Sequence, residues 1–128
     1  MKLTQYLTIK ETLDLHARTL SKHGGAPGIR DMGLIESALY RPQSGYYESL
    51  SEQAAALLQG FCMNHPFVDG NKRVALLVTA VFLKMNGYQL TASNADFVRF
   101  IFAEVIQEKW DVNQIAGWLE KKMKKEKT

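Results

Sequence analysis

The chain has 128 residues, of which 46% are hydrophobic and 23% charged, with a formal net charge of +3. That length suits one domain with one hydrophobic core, and that composition excludes a disordered chain. The longest strongly apolar run, Val74 to Leu83, falls well short of the roughly 20 residues of a membrane span, and a lone Cys62 excludes internal disulfides and multi-cysteine zinc sites.

Met1 to Tyr6 lacks the apolar core of a secretory signal, so a cytoplasmic protein is expected. Thr8-Ile9-Lys10-Glu11 has the form of a capping box and predicts a helix start. Behind it Ile9, Leu13, His16, Ala17 and Leu20 recur at three- and four-residue steps as one apolar stripe. Gly24-Gly25 and Pro27-Gly28 stop that helix. A second helix is predicted from about Asp31 to Tyr40, ended by Pro42, and Arg41 to Leu50 reads as a loop or small hairpin. Ser49-Leu50-Ser51-Glu52 offers another capping box, opening a third helix to about Asn64. Pro66 disfavours helical geometry at His65 and ends it there. Cys62, on its apolar run, is expected to be a small buried hydrophobe.

From Asn71 to Asn86, with Gly87 as its stop, the next helix is apolar nearly all round over positions 74 to 83. A helix of that kind belongs at the centre of a domain. Gln89-Leu90 reads as a short extended stub. Two further helices are predicted, about Asn94 to Gln107 and about Asp111 onward, the last with Val112, Ile115, Ala116, Leu119 and Met123 on one face. Between Glu120 and Lys127 lie five lysines and two glutamates, which account for the whole net charge and leave the body neutral. This tail, residues 120–128, is expected to be a helical or frayed helix end. No helix-turn-helix signature, zinc-finger spacing or aromatic-studded basic stripe accompanies it, so no direct nucleic-acid binding is expected. The expected fold is all-α: a single domain, residues 1–128, built as a compact bundle around a central buried helix.

The head of that helix carries the chemistry. Free amides and the positive dipole end favour an anion at Asp69-Gly70-Asn71-Lys72-Arg73, and Gly70 permits close backbone approach. Lys72 adds a point charge and Arg73 a planar fork for phosphate oxygens. Asp69 is a hard carboxylate of the kind that holds Mg²⁺ together with phosphates. His65, just upstream, is able to take a proton near neutral pH. His16 and His23 have no metal-ligand spacing and are expected to be structural.

The nine-residue segment His65-Pro66-Phe67-Val68-Asp69-Gly70-Asn71-Lys72-Arg73 closely resembles the signature of the Fic/Doc family. Tyr6-Leu7-Thr8, His23-Gly24-Gly25, Pro27 to Asp31, Gly33 to Leu39 with Arg41-Pro42, and Leu83 to Gly87 are similar to its Doc (death-on-curing) branch, so the resemblance covers most of the chain. It implies a helical fold with nucleotide phosphates over the head of the central helix. It also implies roles: His65 as the base that deprotonates a target hydroxyl, Phe67 as the core anchor of the loop, and Asp69 as the Mg²⁺ ligand. Gly70, Asn71, Lys72 and Arg73 would hold the phosphates, and His65, Asp69, Lys72 and Arg73 together would form the catalytic set.

Two departures separate the branches. Fic adenylyltransferases resemble His-x-Phe-x-(Asp/Glu)-Gly-Asn-Gly-Arg-x-x-Arg, whereas this chain has Lys72 at the second glycine and Leu76 at the final arginine. A lysine fills space that glycine leaves open, and a leucine cannot clamp a phosphate. Doc toxins share the lysine. The resemblance implies that such proteins are kinases that place ATP the other way round and phosphorylate a threonine of elongation factor Tu, halting translation. Gly70, where some Doc proteins carry alanine, leans towards the Fic pattern. No match to the inhibitory Ser/Thr-x-x-x-Glu-Gly/Asn helix of Fic proteins is found; Ser44 to Glu48 has the spacing but Ser49 follows. Doc toxins are instead held by a small antitoxin protein. Tyr46 and Tyr47 lie in the loop that resembles the family's target-docking flap.

The resemblance therefore implies a toxin kinase that uses ATP and Mg²⁺ on a protein hydroxyl. One alternative is AMP transfer of the Fic kind. A second is a catalytically silent helical domain that binds a partner protein or nucleic acid, a role with no physical need for His65 or Asp69.

Overall fold

Side chains close the first turns of α-helices beginning at Ile9, Met32, Leu50, Asn94 and Val112, whereas the one beginning at Asn71 has no side-chain cap. The computed structural model describes residues 3–126. Helix α1 (Ile9–His23) opens on the full capping box: Glu11 N–H donates to Thr8 Oγ1 at 3.1 Å and Thr8 N–H to Glu11 Oε1 at 2.9 Å. It ends at Gly24, whose N–H returns to Leu20 O at 2.7 Å. Its buried face is not the predicted stripe. Thr12, Leu15, His16 and Thr19 are buried, Leu13 and Leu20 are half-buried, and Ile9 and Ala17 are exposed. The rotation is possible because both threonine hydroxyls bond back to carbonyls of the preceding turn, Thr12 to Thr8 O and Thr19 to Leu15 O, so burying them strands no donor.

Helix α2 (Met32–Tyr40) is capped by Asp31, and a 3-10 turn (Arg41–Gln43) holding Pro42 follows at once. The segment up to Ser49 is a loop and not a hairpin. The Ser44 hydroxyl bonds Arg41 O at 2.8 Å, which keeps the chain coiled where a strand would have to extend. Helix α3 (Leu50–Asn64) starts with the Ser49–Glu52 capping box, and helix α4 (Asn71–Met85) follows a six-residue break.

No side chain of α4 is exposed between 74 and 83, although Leu76, Leu77, Ala80 and Val81 are only half-covered. The more completely enclosed element is α3. Ala54 to Leu58, Gly60, Phe61 and Cys62 are all buried, with α2, α4 and α6 (Val112–Lys122) packed around them. The centre of the bundle is thus the α3–α4 pair. Helix α5 (Asn94–Phe100) runs straight into a wider π helix (Ile101–Gln107), and Phe100 stacks on Trp118 of α6 at 3.9 Å. That contact seats α5 and its continuation, whose Val98, Ile101 and Phe102 face the head of α4.

The basic tail continues α6 only to Lys122 and then leaves it. Strand β2 (Met123–Lys125) pairs antiparallel with β1 (Tyr88–Leu90), Leu90 opposite Met123 and Tyr88 opposite Lys125. The extended stub at Gln89-Leu90 presents open hydrogen-bonding groups, and pairing satisfies them: Thr91 N–H donates to Lys122 O at 2.7 Å and Glu126 N–H to Gly87 O at 2.9 Å. Lys127 and Thr128 lie outside the described residues. Among the described residues no helix is long and apolar enough to cross a membrane, and two ion pairs occur, Lys10–Asp14 and Arg99–Asp96, both exposed and each within one helix.

Candidate active site

The break between α3 and α4 is held from several directions. His65 takes left-handed geometry, φ 49° and ψ 60°, which lets the chain turn before Pro66. Arg30 caps the end of α3, its Nε donating to His65 O at 2.6 Å and its Nη2 to Asn64 O. Pro66 O accepts from Arg30 N–H at 2.8 Å and Asp31 N–H at 3.0 Å, Val68 N–H donates to Gly28 O at 3.1 Å, and Ile29 bridges Phe67 antiparallel. The Phe67 ring is 1% exposed and stacks against His16 of α1, with centroids 3.8 Å apart and planes 11° apart. Asn71 closes the loop on itself: Phe67 N–H donates to its Oδ1 at 2.9 Å, and its Nδ2 donates to Phe67 O at 3.0 Å.

At the head of α4 the first helical hydrogen bond runs from Val74 N–H to Gly70 O at 2.9 Å. The amides of Asn71, Lys72 and Arg73 precede it and find no acceptor among the described residues. Gly70, at φ 80°, supplies the left-handed turn that aims them outward. The Asp69 carboxylate stands beside them, Oδ2 accepting from Ala26 N–H at 3.2 Å and Oδ1 from Gly70 N–H at 2.8 Å. These two amides, Ala26 first, hold its pKa below the usual carboxylate value; some loss of hydration opposes them, and His16 and Lys72 assist. Gly25 is obligatory here, since an added Cβ would sit 3.0 Å from Asp69 Oδ2 and its φ is 124°. On the other side of the backbone, His16 Nε2 lies 2.8 Å from Asp69 O.

These groups border a cleft of about 400 Å³. His65, Asp69 and the residues from Gly70 to Arg73 form its polar side, and Val98, Ile101 and Phe102 form its apolar wall. The Lys72 ammonium rests 5.0 Å from the centre of the Phe102 ring. Leu76 does not reach this cleft. It lines a neighbouring groove of about 440 Å³ with Arg18, Lys22, His23 and Arg73. There His23 has its pKa lowered by loss of hydration, then by Arg73 and Lys22.

All six predicted motif residues, His65, Asp69, Gly70, Asn71, Lys72 and Arg73, therefore meet at one cleft. The Asn71 side chain is occupied by the Phe67 backbone, so its free amide is what it offers an anion. Tyr46 and Tyr47 are not brought to this cleft. They border a separate groove with Arg41 and Gln59, where Tyr46 is 81% exposed and the Tyr47 hydroxyl accepts from Arg41 Nε at 3.0 Å. The segment that does border the motif loop is residues 25–31. Four contributors escaped the sequence reading: His16, the Ala26 amide, Arg30 and Phe102. A polar His16 within a buried face was the one available signal. Backbone amides and a wall contributed by a later helix leave none.

Among the described residues no three His, Cys, Asp or Glu side chains gather into a metal cage. A lone carboxylate next to free amides and cations fits a divalent cation that takes its remaining ligands from phosphate oxygens and water.

The Fic/DOC family model matches residues 6–83. The chain belongs to the Fic/DOC family. Toxin Doc of Mycolicibacterium smegmatis is 37% identical over 123 residues, covering 91% of this chain and 92% of that protein. Protein kinase doc of Escherichia phage P1 is 34% identical over 90 residues, covering 67% of this chain and 71% of that protein. Within the family the chain falls on the Doc toxin branch. The family match takes in α1 with His16, the 25–31 segment and the whole head of α4, but stops before the helix that carries Phe102.

Proposed function

We propose that this chain is the toxin of a toxin–antitoxin pair, a cytoplasmic protein kinase that moves the γ-phosphate of ATP onto a protein hydroxyl. By family resemblance the acceptor is a translation factor, elongation factor Tu, and the restraint is a small antitoxin protein. The observation that carries this reading is the meeting of three unpartnered amides, Lys72, the Asp69 carboxylate and the His65 ring at one cleft.

His65 takes the proton of the acceptor hydroxyl, and the hydroxyl oxygen then bonds to the γ-phosphorus as the bond to the bridging oxygen breaks and ADP leaves. The amides of Asn71 to Arg73 and the Lys72 ammonium hold the phosphate oxygens in line; the Lys72 ammonium must leave the Phe102 ring to do so. Mg²⁺ at Asp69, when bound, neutralises charge on the phosphates and the leaving diphosphate. The printed name of the phage relative supports transfer of a phosphoryl group. Leu76, at the position of the final arginine of the Fic pattern, supports it too, because its side chain cannot grip a phosphate.

Purified chain incubated with elongation factor Tu should transfer label from γ-labelled ATP and none from α-labelled ATP. Label from the α position would make it an AMP transferase of the Fic kind with the same base and anion site. Expression alone should arrest bacterial growth, and co-expression of a small protein encoded beside it should restore growth. Unimpaired growth with abundant soluble protein and no transfer from either label would leave the silent-domain reading.

A further inference from the structure

His16 lies on α1, is 6% exposed, and sits 53 residues before the carbonyl it touches. A buried imidazole is costly unless its ring nitrogens find partners, and here Nε2 faces Asp69 O at 2.8 Å. A carbonyl oxygen only accepts, so Nε2 carries a hydrogen and donates it to Asp69 O. The ring is also fixed in plane by stacking on Phe67 at 3.8 Å. Asp69 O belongs to the peptide unit whose other polar end is Gly70 N–H. That unit is planar, so holding the oxygen holds the N–H. The same N–H donates to Asp69 Oδ1 at 2.8 Å and thereby aims the carboxylate. Gly70, at φ 80° and lacking a Cβ, offers little resistance of its own to rotation of this peptide. A flip would carry the N–H away from the carboxylate and turn the carbonyl towards the anion site.

We propose that His16 is a positioning residue: by locking the Asp69–Gly70 peptide it orients the Asp69 carboxylate and keeps a carbonyl out of the phosphate site. The consequence for ligand binding rests on the nucleotide reading above, whereas the lock on the peptide does not. Two substitutions separate the ring from its donor. His16→Phe keeps a ring against Phe67 and removes the N–H. His16→Gln keeps an N–H at a similar reach and removes the ring. Nitrogen-15 spectra of the wild-type protein should show a hydrogen on His16 Nε2 and a Gly70 amide protected from exchange. In His16→Phe the Gly70 amide should shift and exchange faster while the fold persists. Titration calorimetry should then show Mg²⁺·ATP bound about threefold to tenfold more weakly, the loss expected for one hydrogen bond. His16→Gln should recover the Gly70 resonance and most of that affinity.

An unchanged Gly70 amide and an affinity within twofold of wild type in His16→Phe would overturn the proposal. So would failure of His16→Gln to recover what His16→Phe loses, because packing of the ring would then be its whole role. Should His16→Phe not fold, the Gly70 resonance in His16→Gln decides: a wild-type position supports the lock and a displaced one rejects it. If the wild-type protein binds no Mg²⁺·ATP, the nucleotide reading falls, and the Gly70 amide still judges His16.

Discussion

The chain leaves a helix at Tyr40 and again at Asn64, each time with a proline two residues later, and the two loops that follow are built on opposite plans. The first coils through a 3-10 turn and is tied by short-range contacts, Arg41 Nε to the Tyr47 hydroxyl and Gln53 Nε2 to Tyr47 O. It leaves Tyr46 largely in solvent. The second is gripped from α1 by His16, from residues 26–31 by backbone and Arg30, and from α4 by Asn71. A reacting group has to be presented at one place, and a loop held from three sides presents it without ordering cost at the moment of reaction. The contrast is one of rigidity: the second loop is held from three elements and the first mainly by its own neighbours.

The largest effect expected from breaking the comparison is on catalysis. His65→Asn retains a residue that tolerates left-handed geometry and removes the base. Phosphoryl transfer should fall by about 10²–10⁴-fold with the unfolding midpoint nearly unchanged. Transfer at the wild-type rate by a folded His65→Asn would remove the general-base role. Next comes the grip itself. Asn71→Ala strands the buried N–H and C=O of Phe67, at about 1–3 kcal/mol each, so denaturant unfolding should show a loss of about 2–6 kcal/mol.

How far these contrasts could be read in advance differs along the chain. Capping boxes at Thr8–Glu11 and Ser49–Glu52 are local, three residues apart, and placed α1 and α3 correctly. The head of α4 was legible because Gly70, Lys72 and Arg73 lie within four residues of sequence and line one cleft. The displaced face of α1 was not, because hydropathy counts Thr12 and Thr19 as polar and does not register hydroxyls bonded to their own helix. Strand β2 was hidden too: its lysines suggest a frayed helix, and only the unpaired edge at Tyr88–Leu90 draws it into a strand. His16 was expected to be structural, but its partner was not legible, since that lies 53 residues away.

A smaller effect sharpens the comparison from below. Cys62 is buried near the end of α3, and burial pushes its pKa up to about 12 against the opposing pull of Lys72. A folded pKa raised above the unfolded one gives stability that is complete below the ordinary thiol range and fades as pH rises towards 12. Cys62→Ala should therefore flatten the alkaline limb of the unfolding curve. A neutral-pH thiol reagent should react with the wild-type protein only as fast as the end of α3 opens, and faster in Arg30→Ala, which uncaps it. The smallest effect belongs to the first loop: Tyr46→Ala should change stability by no more than about 0.5 kcal/mol in thermal unfolding. A loss several times larger would mean that both loops are gripped alike.

The distribution of ion pairs has a practical consequence for separating folding from binding. Lys10–Asp14 and Arg99–Asp96 are exposed neighbours on single helices, a class worth only a few tenths of a kcal/mol. Lys72 and Arg73, in contrast, have no carboxylate within ion-pair distance among the described residues. Dissolved salt should hardly disturb the bundle, while its anions compete at the head of α4 and its screening weakens attraction for a polyphosphate. Ionic strength thus acts as a dial on occupancy alone: unfolding curves at low and high sodium chloride should superimpose where nucleotide titrations separate.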